Sequence, residues 1–598
     1  MANRYFLNIG VNWGDTANWS DTSGGTGGFS VPTNLDDVFF DANSGNCTVN
    51  ASARTAKTLN FTGYTNTITM SNTVTVSGNV TLGAGMGIAG ASALIVDETS
   101  TLTSNGKTWS APFTFSGTSK TFTLGDNWAI SGQVNLSGTT ATTINSNTLT
   151  SSGNLRTTTS AATSGTTNLS LTGGTWSNIS FGSLRLNTTI NGNITVSGTV
   201  YFGFATLIYS SGTVTVLGST LNLTGTVTID TNTLQWNNIQ TASANVTTLT
   251  LSSDLNIGGE WNQDILGTTV HGSFNINVFG GINAQAGTAY GSGSPVLNIK
   301  GGTWRGTGNQ QITTNLDGNI NITLNTGGFN GGARALTYVS GNVTCASTSV
   351  VFFNGSINVS QVFFANALIN TANLLADLNI GGSINTTGIT VNGVGYNLNV
   401  YNGITISTNS MGGTANINVL GGNLNIGGAN GALNANVFLN GNVNIILYQQ
   451  FGGSITYLGG KVTGDLYALT SSGSAINFDK VNLRRVNITA NQTLTMNRFF
   501  NGTASIPTRV QCASVTGTYT VAFQDTFEKI ANNVKVSGCI VSRPGQLIVN
   551  GRNSNKGLNT GIRFGNQSPN GLSKNTPTIK TETIFGIGNI SDPTMVIS

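Results

Sequence analysis

Short runs in which an apolar residue alternates with Asn, Thr or Ser recur along most of the chain, and Gly or Asn separates them. Clear examples are NTVTVSGNVTL at 72–82, NGNITVSGTV at 191–200 and SFNINVFGGI at 273–282. Strict alternation over about four to six residues predicts short strands that bury one face. Gly-Gly, Asn-Gly and Ser-Gly supply the positive φ angles that tight corners require. The chain is therefore predicted to be all-β.

These strands recur at a nearly constant spacing. Comparable strands place Ile257, Ile276, Ile299, Ile320 and Val343 at intervals of 19, 23, 21 and 23 residues. Such a period is typical of one coil of a β-solenoid, although the hairpins of a β-sandwich can also produce it. We favour the solenoid, a parallel β-helix-like rod, because linkers and charged outer faces are missing.

A longer repeat is superimposed on the short one. SDLNIGGE at 253–260 returns as ADLNIGGS at 376–383, and GNINI at 318–322 returns as GNVNI at 441–445, each 123 residues later. We therefore predict three copies of a unit of about 120 residues, near 126–252, 253–375 and 376–496. Three tandem sandwiches of about 120 residues would give the same offset.

The low charge of the chain also favours stacking. Charged residues make up 7% of the sequence, against about 25% in an ordinary soluble domain. The windows 186–299 and 335–460 contain neither Lys nor Arg. Like charges stacked about 4.8 Å apart repel one another, whereas Asn, Thr and Ser can hydrogen-bond to their own copies in the next layer.

The two ends differ from the middle in composition, which predicts three regions. Residues 1–60 are rich in large aromatic side chains and are expected to form a small N-terminal cap or attachment module. Residues 61–497 are expected to form the solenoid shaft. Residues 498–598 contain more Lys, Arg and Pro and are expected to form a distinct, basic, β-rich C-terminal domain. Caps are needed because an open solenoid end exposes unpaired strand edges.

One local group of polar residues suggests catalysis. It comprises Asp254, Glu260, Asp264 and His271, which is the single histidine of the chain. Glycoside hydrolysis requires two carboxyl groups placed across a sugar. The next repeat copy has Ser383 in place of Glu260, and no acid or histidine follows there. We therefore expect a surface turn at this position and a protein that is not an enzyme.

Three acids near the N-terminus, Asp36, Asp37 and Asp41, offer the oxygen ligands that Ca²⁺ prefers. They lack the regular DxDxDG spacing, so we expect them to cap turns and expect no bound metal. The four cysteines, Cys47, Cys345, Cys512 and Cys539, lie far apart without a CxxC pair. They indicate neither a zinc site nor a disulfide framework and are expected to be small buried hydrophobes. No cofactor is expected.

The first ten residues contain one basic side chain and no apolar core, which does not match a secretory signal peptide. No apolar run approaches the roughly 18 residues that a membrane-spanning helix needs. We therefore expect no membrane span.

Basic residues are concentrated in the C-terminal fifth of the chain. Residues 480–598 carry 13 basic and 4 acidic side chains. Such a patch could contact an anionic glycan, an acidic protein or nucleic acid, although a solvated surface or salt links between subunits would explain it equally well. No motif supports sequence-specific nucleic-acid binding. The candidate binding residues are Arg484, Arg485, Arg498, Arg509, Lys535, Arg543, Arg552, Lys556 and Arg563.

The segment 12–49 resembles an N-terminal module of repetitive β-rich proteins of tailed phages and of some large bacterial surface proteins. The resemblance is carried by Trp13, the Asn18-Trp19-Ser20 triplet, the Gly-rich stretch 24–28, Pro32 and the DDVFF run at 36–40. It covers about 40 residues, and the pattern behind it is more loosely similar to phage fibre, spike and adhesin shafts. The resemblance implies a homotrimer. Bacterial proteins of this type usually carry a secretion signal or membrane anchor, and the expected absence of both favours a phage protein.

These observations predict a structural virion protein, assembled in the host cytoplasm and displayed on the virion surface. It would form a fibre, a spike or a capsid or tail decoration, contact other virion proteins and take part in host attachment. Exposed Asn, Thr and Ser ladders with scattered aromatic residues suit weak, multivalent contact with a host surface glycan. Two alternatives stay open, a tailspike-type polysaccharide depolymerase and an extracellular bacterial adhesin or surface filament.

Overall fold

In the computed structural model, the protein forms two compact units, Met1–Gly302 and Thr303–Ser598. Within the described ranges, every regular element except the short 3-10 helix Thr16–Asn18 is a β-strand. The structure describes residues 2–117, 119–137, 142–157, 163–178, 183–216, 218–241, 247–263, 268–285, 287–290, 293–407, 411–426, 433–447, 454–459, 462–469, 475–477, 481–488, 493–496, 508–512, 518–523, 529–532, 534–544, 547–550, 559–560 and 562–565.

The first unit is a stack of coils with three strands each. In one coil, Trp261–Gln263 lies on face 1, Thr268–His271 on face 2 and Asn275–Val278 on face 3. Each of these three strands pairs in parallel with the strand one coil further on, so that Ile276 pairs with Leu297, 21 residues later. Parallel pairing confirms the predicted β-solenoid and excludes sandwiches, whose strands are antiparallel.

The strands of the first unit fall into these three stacks. Face 1 contains Asp37–Phe39, Thr58–Asn60, Val80–Thr81, Ser100–Thr103, Thr121–Leu124, Thr142–Asn145, Thr163–Ser164, Leu184–Arg185, Thr199–Gly203, Thr220–Thr224, Asn238–Thr241, Trp261–Gln263 and Gly281–Ala284. Face 2 contains Cys47–Val49, Thr67–Met70, Gly87–Gly90, Thr108–Trp109, Trp128–Ile130, Thr148–Ser151, Asn168–Leu171, Thr188–Asn191, Thr206–Ser211, Thr226–Asp230, Thr247–Leu251, Thr268–His271 and Gly287–Tyr290. Face 3 contains Arg54–Ala56, Val74–Val76, Leu94–Val96, Phe113–Phe115, Val134–Leu136, Leu155–Thr157, Thr175–Asn178, Ile194–Ser197, Val214–Thr215, Gln235–Trp236, Leu255–Ile257, Asn275–Val278 and Val296–Gly306.

The second unit is also a parallel solenoid, but several of its strands bend at the coil corners and run on as one element. Met411–Ile426, for example, pairs with Asn397–Val400 and then with Gly403–Ile406. The strands of this unit are Asn309–Gln310, Thr313–Ser340, Val343–Cys345, Val350–Asn358, Phe363–Phe364, Asn366–Leu374, Leu378–Ile380, Ile384–Thr386, Ile389–Asn392, Asn397–Val400, Gly403–Ile406, Met411–Ile426, Leu433–Leu447, Ser454–Gly459, Val462–Leu469, Ala475–Asn477, Val481–Ile488, Thr493–Met496, Thr508–Cys512, Tyr519–Phe523, Lys529–Asn532, Val534–Ser537, Cys539–Val541, Leu547–Asn550 and Ile562–Gly565.

Columns of apolar side chains fill the interior of the coils. Leu255, Ile276 and Leu297 stand in register on three successive coils, and all three are fully buried. The alternation seen in the sequence produces this arrangement, because every second residue of a strand points to the same side. Burying one Leu or Ile side chain contributes about 1.5–3 kcal/mol, so the columns supply much of the stability of the stack.

An aromatic cluster covers the first coils of the first unit. The strand Asn3–Phe6 pairs antiparallel with Trp19–Ser20 and parallel with Asp37–Phe39. The rings of Trp13 and Trp19 are buried with their centroids 5.1 Å apart, and Trp19 Nε1 donates to the Trp13 carbonyl at 2.7 Å. The residues before Asp37 therefore cover apolar surface that an open coil would expose.

The parallel stack extends beyond both of the boundaries predicted for the shaft. On the N-terminal side, Asp37–Phe39 pairs in parallel with Thr58–Asn60 and also with Asn3–Phe6, all before residue 61. Near the other boundary, Val481–Ile488 pairs in parallel with Thr508–Cys512, which pairs with Val534–Ser537. Strand stacking thus occurs on both sides of residue 497, because apolar alternation persists there and buries residues such as Val510 and Val536.

The longer repeat appears as a recurring set of contacts. In the first unit, Asn275 N–H donates to Asp254 Oδ1 at 2.9 Å. In the second unit, Asn397 N–H donates to Asp377 Oδ1 at 2.8 Å. The two pairs are offset by 122–123 residues, as the sequence repeat predicts. The repeat therefore reproduces individual hydrogen bonds as well as strands.

Candidate functional site

The structure does not bring the described candidate carboxylates for sugar cleavage to one place. Asp254 lies at the corner between faces 2 and 3, and His271 lies at the same corner one coil later. Glu260 lies at the corner between faces 3 and 1. Asp264 lies outside the described residues. Asp254 and Glu260 thus precede and follow the strand Leu255–Ile257 and lie at different corners of the coil.

Asp254 holds two successive coils together. Its Oδ1 accepts from the Asn275 backbone N–H, and the Asn275 side-chain amide lies 3.1 Å from Oδ2 and 3.3 Å from Oδ1. Asp377 makes the same three contacts with Asn397. A carboxylate engaged on both oxygens in both repeat copies has a structural role between coils.

Glu260 is held through its backbone. Its N–H donates to Asn238 Oδ1 at 2.8 Å, and its carbonyl accepts from the Ile239 N–H at 3.1 Å. Both contacts reach the previous coil, so they fix the corner at which face 3 turns into face 1.

Asp36, the first of the three Ca²⁺ candidates, closes a turn. Its Oδ2 accepts from the Thr33 backbone N–H at 2.9 Å and from the Thr33 hydroxyl at 2.8 Å. Burial raises the pKa of Asp36, but the hydrogen bonds from Thr33 and the charge of Arg4 outweigh it, so this pKa lies below its ordinary value.

Asp37 and Asp41 also have protein partners. Asp37 Oδ1 accepts from the Thr58 hydroxyl at 2.7 Å and lies 3.7 Å from Lys57 Nζ. Asp41 Oδ1 accepts from the Asn43 backbone N–H at 2.9 Å. In the part of the chain that the structure describes, no group of three or more His, Cys, Asp or Glu side chains could hold a metal ion.

The basic residues of the C-terminal region are only partly described. Arg485 pairs with Arg509, and Arg509 with Lys535, so three cationic residues occupy one register column on successive coils. Arg484 lies in the strand Val481–Ile488, and Arg563 pairs with Ile548. Arg543 is exposed. Arg498, Arg552 and Lys556 lie outside the described residues.

Cys47, Cys345 and Cys539 are free thiols, with Cys47 and Cys539 buried and Cys345 half-buried. Burial raises the pKa of all three thiols, to about 12 for Cys539. They therefore carry little thiolate at neutral pH and are poor nucleophiles. Cys512 ends the strand Thr508–Cys512.

The structure reveals two matching surface patches that the sequence analysis missed. Patch A consists of Phe274, Asn275, Asn277 and Phe279, on and beside the face 3 strand Asn275–Val278. Both aromatic side chains are exposed, Phe274 by 40% and Phe279 by 43%.

Patch B consists of Tyr396, Asn397, Asn399 and Tyr401 in the second unit. Tyr396 is 39% exposed and Tyr401 44%, almost the same values as at the equivalent positions of patch A. The sequences FNINVF at 274–279 and YNLNVY at 396–401 carry the signal, since an aromatic residue brackets an Asn-x-Asn pair in both.

An asparagine ladder crosses each patch. Asn277 donates to Asn256 at 2.9 Å and accepts from Asn298 at 2.8 Å. In patch B, the corresponding rungs run from Asn399 to Asn379 at 2.9 Å and from Asn418 to Asn399 at 2.7 Å. The two patches thus share their aromatic pair, their ladder and the neighbouring Asp–Asn contact.

Comparison of the chain with protein-family models, with curated proteins and with solved structures gave no match. Among the residues that the structure describes, no helix is long and apolar enough to span a membrane.

Proposed function

We propose that this chain is a structural protein of a phage virion and that its β-solenoid units form part of a surface appendage used in host attachment. The observation that carries the proposal is the parallel solenoid covered at its first coils by an aromatic module. Trp13, Trp19 and Phe40, which form that module, belong to the segment that resembles the N-terminal modules of phage proteins.

The arrangement of the coils suits a scaffold exposed to the environment. Parallel strand pairing joins successive coils, and apolar columns fill their interior. Its outer surface depends on Asn, Thr and Ser rather than on charges, so we expect it to tolerate changes in salt. The basic residues of the C-terminal region are proposed to contact acidic groups of other virion proteins or of the host surface.

The proposal is tested on purified particles of the phage that encodes the chain. We expect the chain among the proteins of the particle, gold-labelled antibodies against it on the particle surface, and inhibition of adsorption when purified protein is added. Absence of the chain from washed particles would overturn the virion role. Its recovery from bacterial surfaces instead would establish the adhesin or filament alternative.

The depolymerase alternative has its own test. Purified protein is incubated with host capsule or lipopolysaccharide, and we expect no shortening of the polysaccharide chains. Release of oligosaccharide that is lost on changing Asp254, Glu260 or Asp264 would contradict the non-enzymatic role.

A further inference from the structure

We propose that patches A and B are two equivalent binding sites for a neutral polysaccharide. The inference rests on the proposed attachment function and names both the ligand class and the residues that would bind it. Neither patch contains a basic residue or overlaps the C-terminal basic region.

The aromatic residues of the patches are duplicated, which points to a shared role. Four large rings are exposed to nearly equal extents at matching positions of two repeat copies, although the solenoid buries most of its large apolar side chains. Exposure of an aromatic ring forgoes the stabilisation that its burial would give. A binding role accounts for the same arrangement at both positions.

The chemistry of the patches fits sugars. The C–H face of a pyranose ring packs on an aromatic ring, and its hydroxyl groups require hydrogen-bond donors and acceptors nearby. In the ladder, Asn277 donates through one N–H to one neighbour and accepts on one oxygen lone pair from the other, and Asn399 does the same. A primary amide has two N–H groups and two oxygen lone pairs, so one of each is left over for a ligand.

The spacing of the rings suits a chain rather than a single sugar. Phe274 and Phe279 are five residues apart, so their Cα atoms are separated by at most about 18 Å. The same holds for Tyr396 and Tyr401. In patch B, the ring of Phe363 lies 6.0 Å from that of Tyr401 and extends the aromatic surface across the coils. A polysaccharide lying along the strand can contact both ends of either patch.

The local charge selects a neutral ligand. The segments 186–299 and 335–460, which contain the two patches, have no Lys or Arg. Asp254 and Asp377 stand beside the patches with their oxygens turned to Asn275 and Asn397. Lys300 follows Ile299, the register partner of Val278, so patch A has one basic and one acidic residue close to it, whereas patch B has Asp377. A polyanion such as nucleic acid would find no excess of positive charge at either patch, so we favour an uncharged glycan.

The test uses the full-length protein in native gels cast with soluble dextran, mannan or galactan. We expect at least one of these polysaccharides to retard the wild-type protein. The double variants F274A/F279A and Y396A/Y401A should each bind at least about tenfold more weakly, because one of two linked sites is lost. The quadruple variant F274A/F279A/Y396A/Y401A should migrate equally far in gels with and without polysaccharide.

Phe204→Ala is the matched control, because Phe204 is 48% exposed and lies outside both patches. The inference would be overturned if none of the three polysaccharides retarded the wild-type protein, or if they retarded the wild-type protein and the quadruple variant equally. It would also be overturned if Phe204→Ala weakened polysaccharide binding as much as the double variants do. A changed sedimentation coefficient of the quadruple variant would also overturn it, since the rings would then contact a second copy of the chain.

The outcome separates this inference from the proposed function. A chain that is present on particles but binds none of the polysaccharides leaves the virion role intact and removes the sugar sites. A chain that binds through the patches but is absent from particles keeps the sugar sites and removes the virion role.

Discussion

Single polar residues in this protein act mainly on the neighbouring coil. Asp254 and Asp377 each bind a backbone N–H and a side-chain amide one coil further on. Asn105 and Asn147 likewise donate to backbone carbonyls of the preceding coil. Such contacts satisfy backbone groups at corners, where the strand ladder is interrupted.

Replacing Asp254 by Ala should destabilise the first unit by about 1–3 kcal/mol, because the Asn275 N–H loses its acceptor. Asp254→Asn should cost less, since it keeps the Oδ1 acceptor. The free energy of unfolding in urea measures both effects. Asp377→Ala is the matched variant in the second unit and should cost a similar amount; a negligible effect of both Ala variants would contradict the structural role.

The buried thiol of Cys539 is expected to make stability fall in alkali. The pKa of Cys539 is raised from 9.0 to about 12 in the folded state, so its contribution to stability is complete below pH 9.0 and is lost as the pH rises towards about 12. Between these values the unfolded chain ionises and the folded chain does not. The urea midpoint of wild-type protein should therefore fall more steeply with pH than that of Cys539→Ala. Parallel pH profiles of the two proteins would count against this assignment.

At the scale of the coil, several corners require left-handed backbone conformations, which glycine adopts with the least strain. Gly212 has φ +99°, and a Cβ there would collide with the carbonyl of Gly192 in the adjacent coil. Gly198 also has a positive φ, +68°, but a Cβ there would meet nothing within 4 Å. Substitutions at Gly198 and Gly212 can therefore distinguish the cost of backbone strain from the cost of crowding between coils.

Gly198→Ala should cost about 1–2 kcal/mol, the usual penalty of a left-handed conformation. Gly212→Ala should cost clearly more, because the backbone of two coils must also move apart. Urea unfolding of both variants measures the difference. Equal costs would mean that the stacked corners have room for a methyl group.

The alternating pattern was sufficient to predict strands, coils and the repeat, because the side-chain period of a strand is two wherever one face is buried. It does not fix where the three regions begin and end, because parallel pairing also occurs before residue 61 and after residue 497, so the bounds 1–60, 61–497 and 498–598 stay predictions. The pattern also does not distinguish Phe274 from the buried residues Ile276 and Val278, whose parity it shares. The strand begins only at Asn275, so Phe274 belongs to the corner and is exposed. Contacts such as Asp254–Asn275 join two neighbouring coils. The alternation within a single strand does not specify which residues of the next coil lie beside it.

At the scale of the whole molecule, stability depends little on charge. Charged residues form 7% of the chain, and the long segments 186–299 and 335–460 lack basic residues. Apolar columns and amide ladders hold the coils of each unit together instead. Electrostatic screening therefore has few strong interactions to weaken.

Raising the NaCl concentration from about 0.05 M to about 1 M should leave the thermal midpoint nearly unchanged, because the Debye length falls from above 10 Å to about 3 Å without breaking any major contact. Differential scanning calorimetry at several salt concentrations measures this midpoint. A steep fall in high salt would show that ion pairs, rather than columns and ladders, dominate the stability.

The matching of each coil to its neighbours has an evolutionary consequence. Since residues about 21 positions apart occupy equivalent places, removing or duplicating one complete coil leaves the surrounding partners matched. A segment of about 123 residues would carry its own sugar-contacting strand with it, so unequal recombination could alter reach and valency in a single genetic event. Insertions of a few residues at a corner, in contrast, would lengthen one coil without adding a strand, as the variation of partner offsets from 16 to 25 residues illustrates.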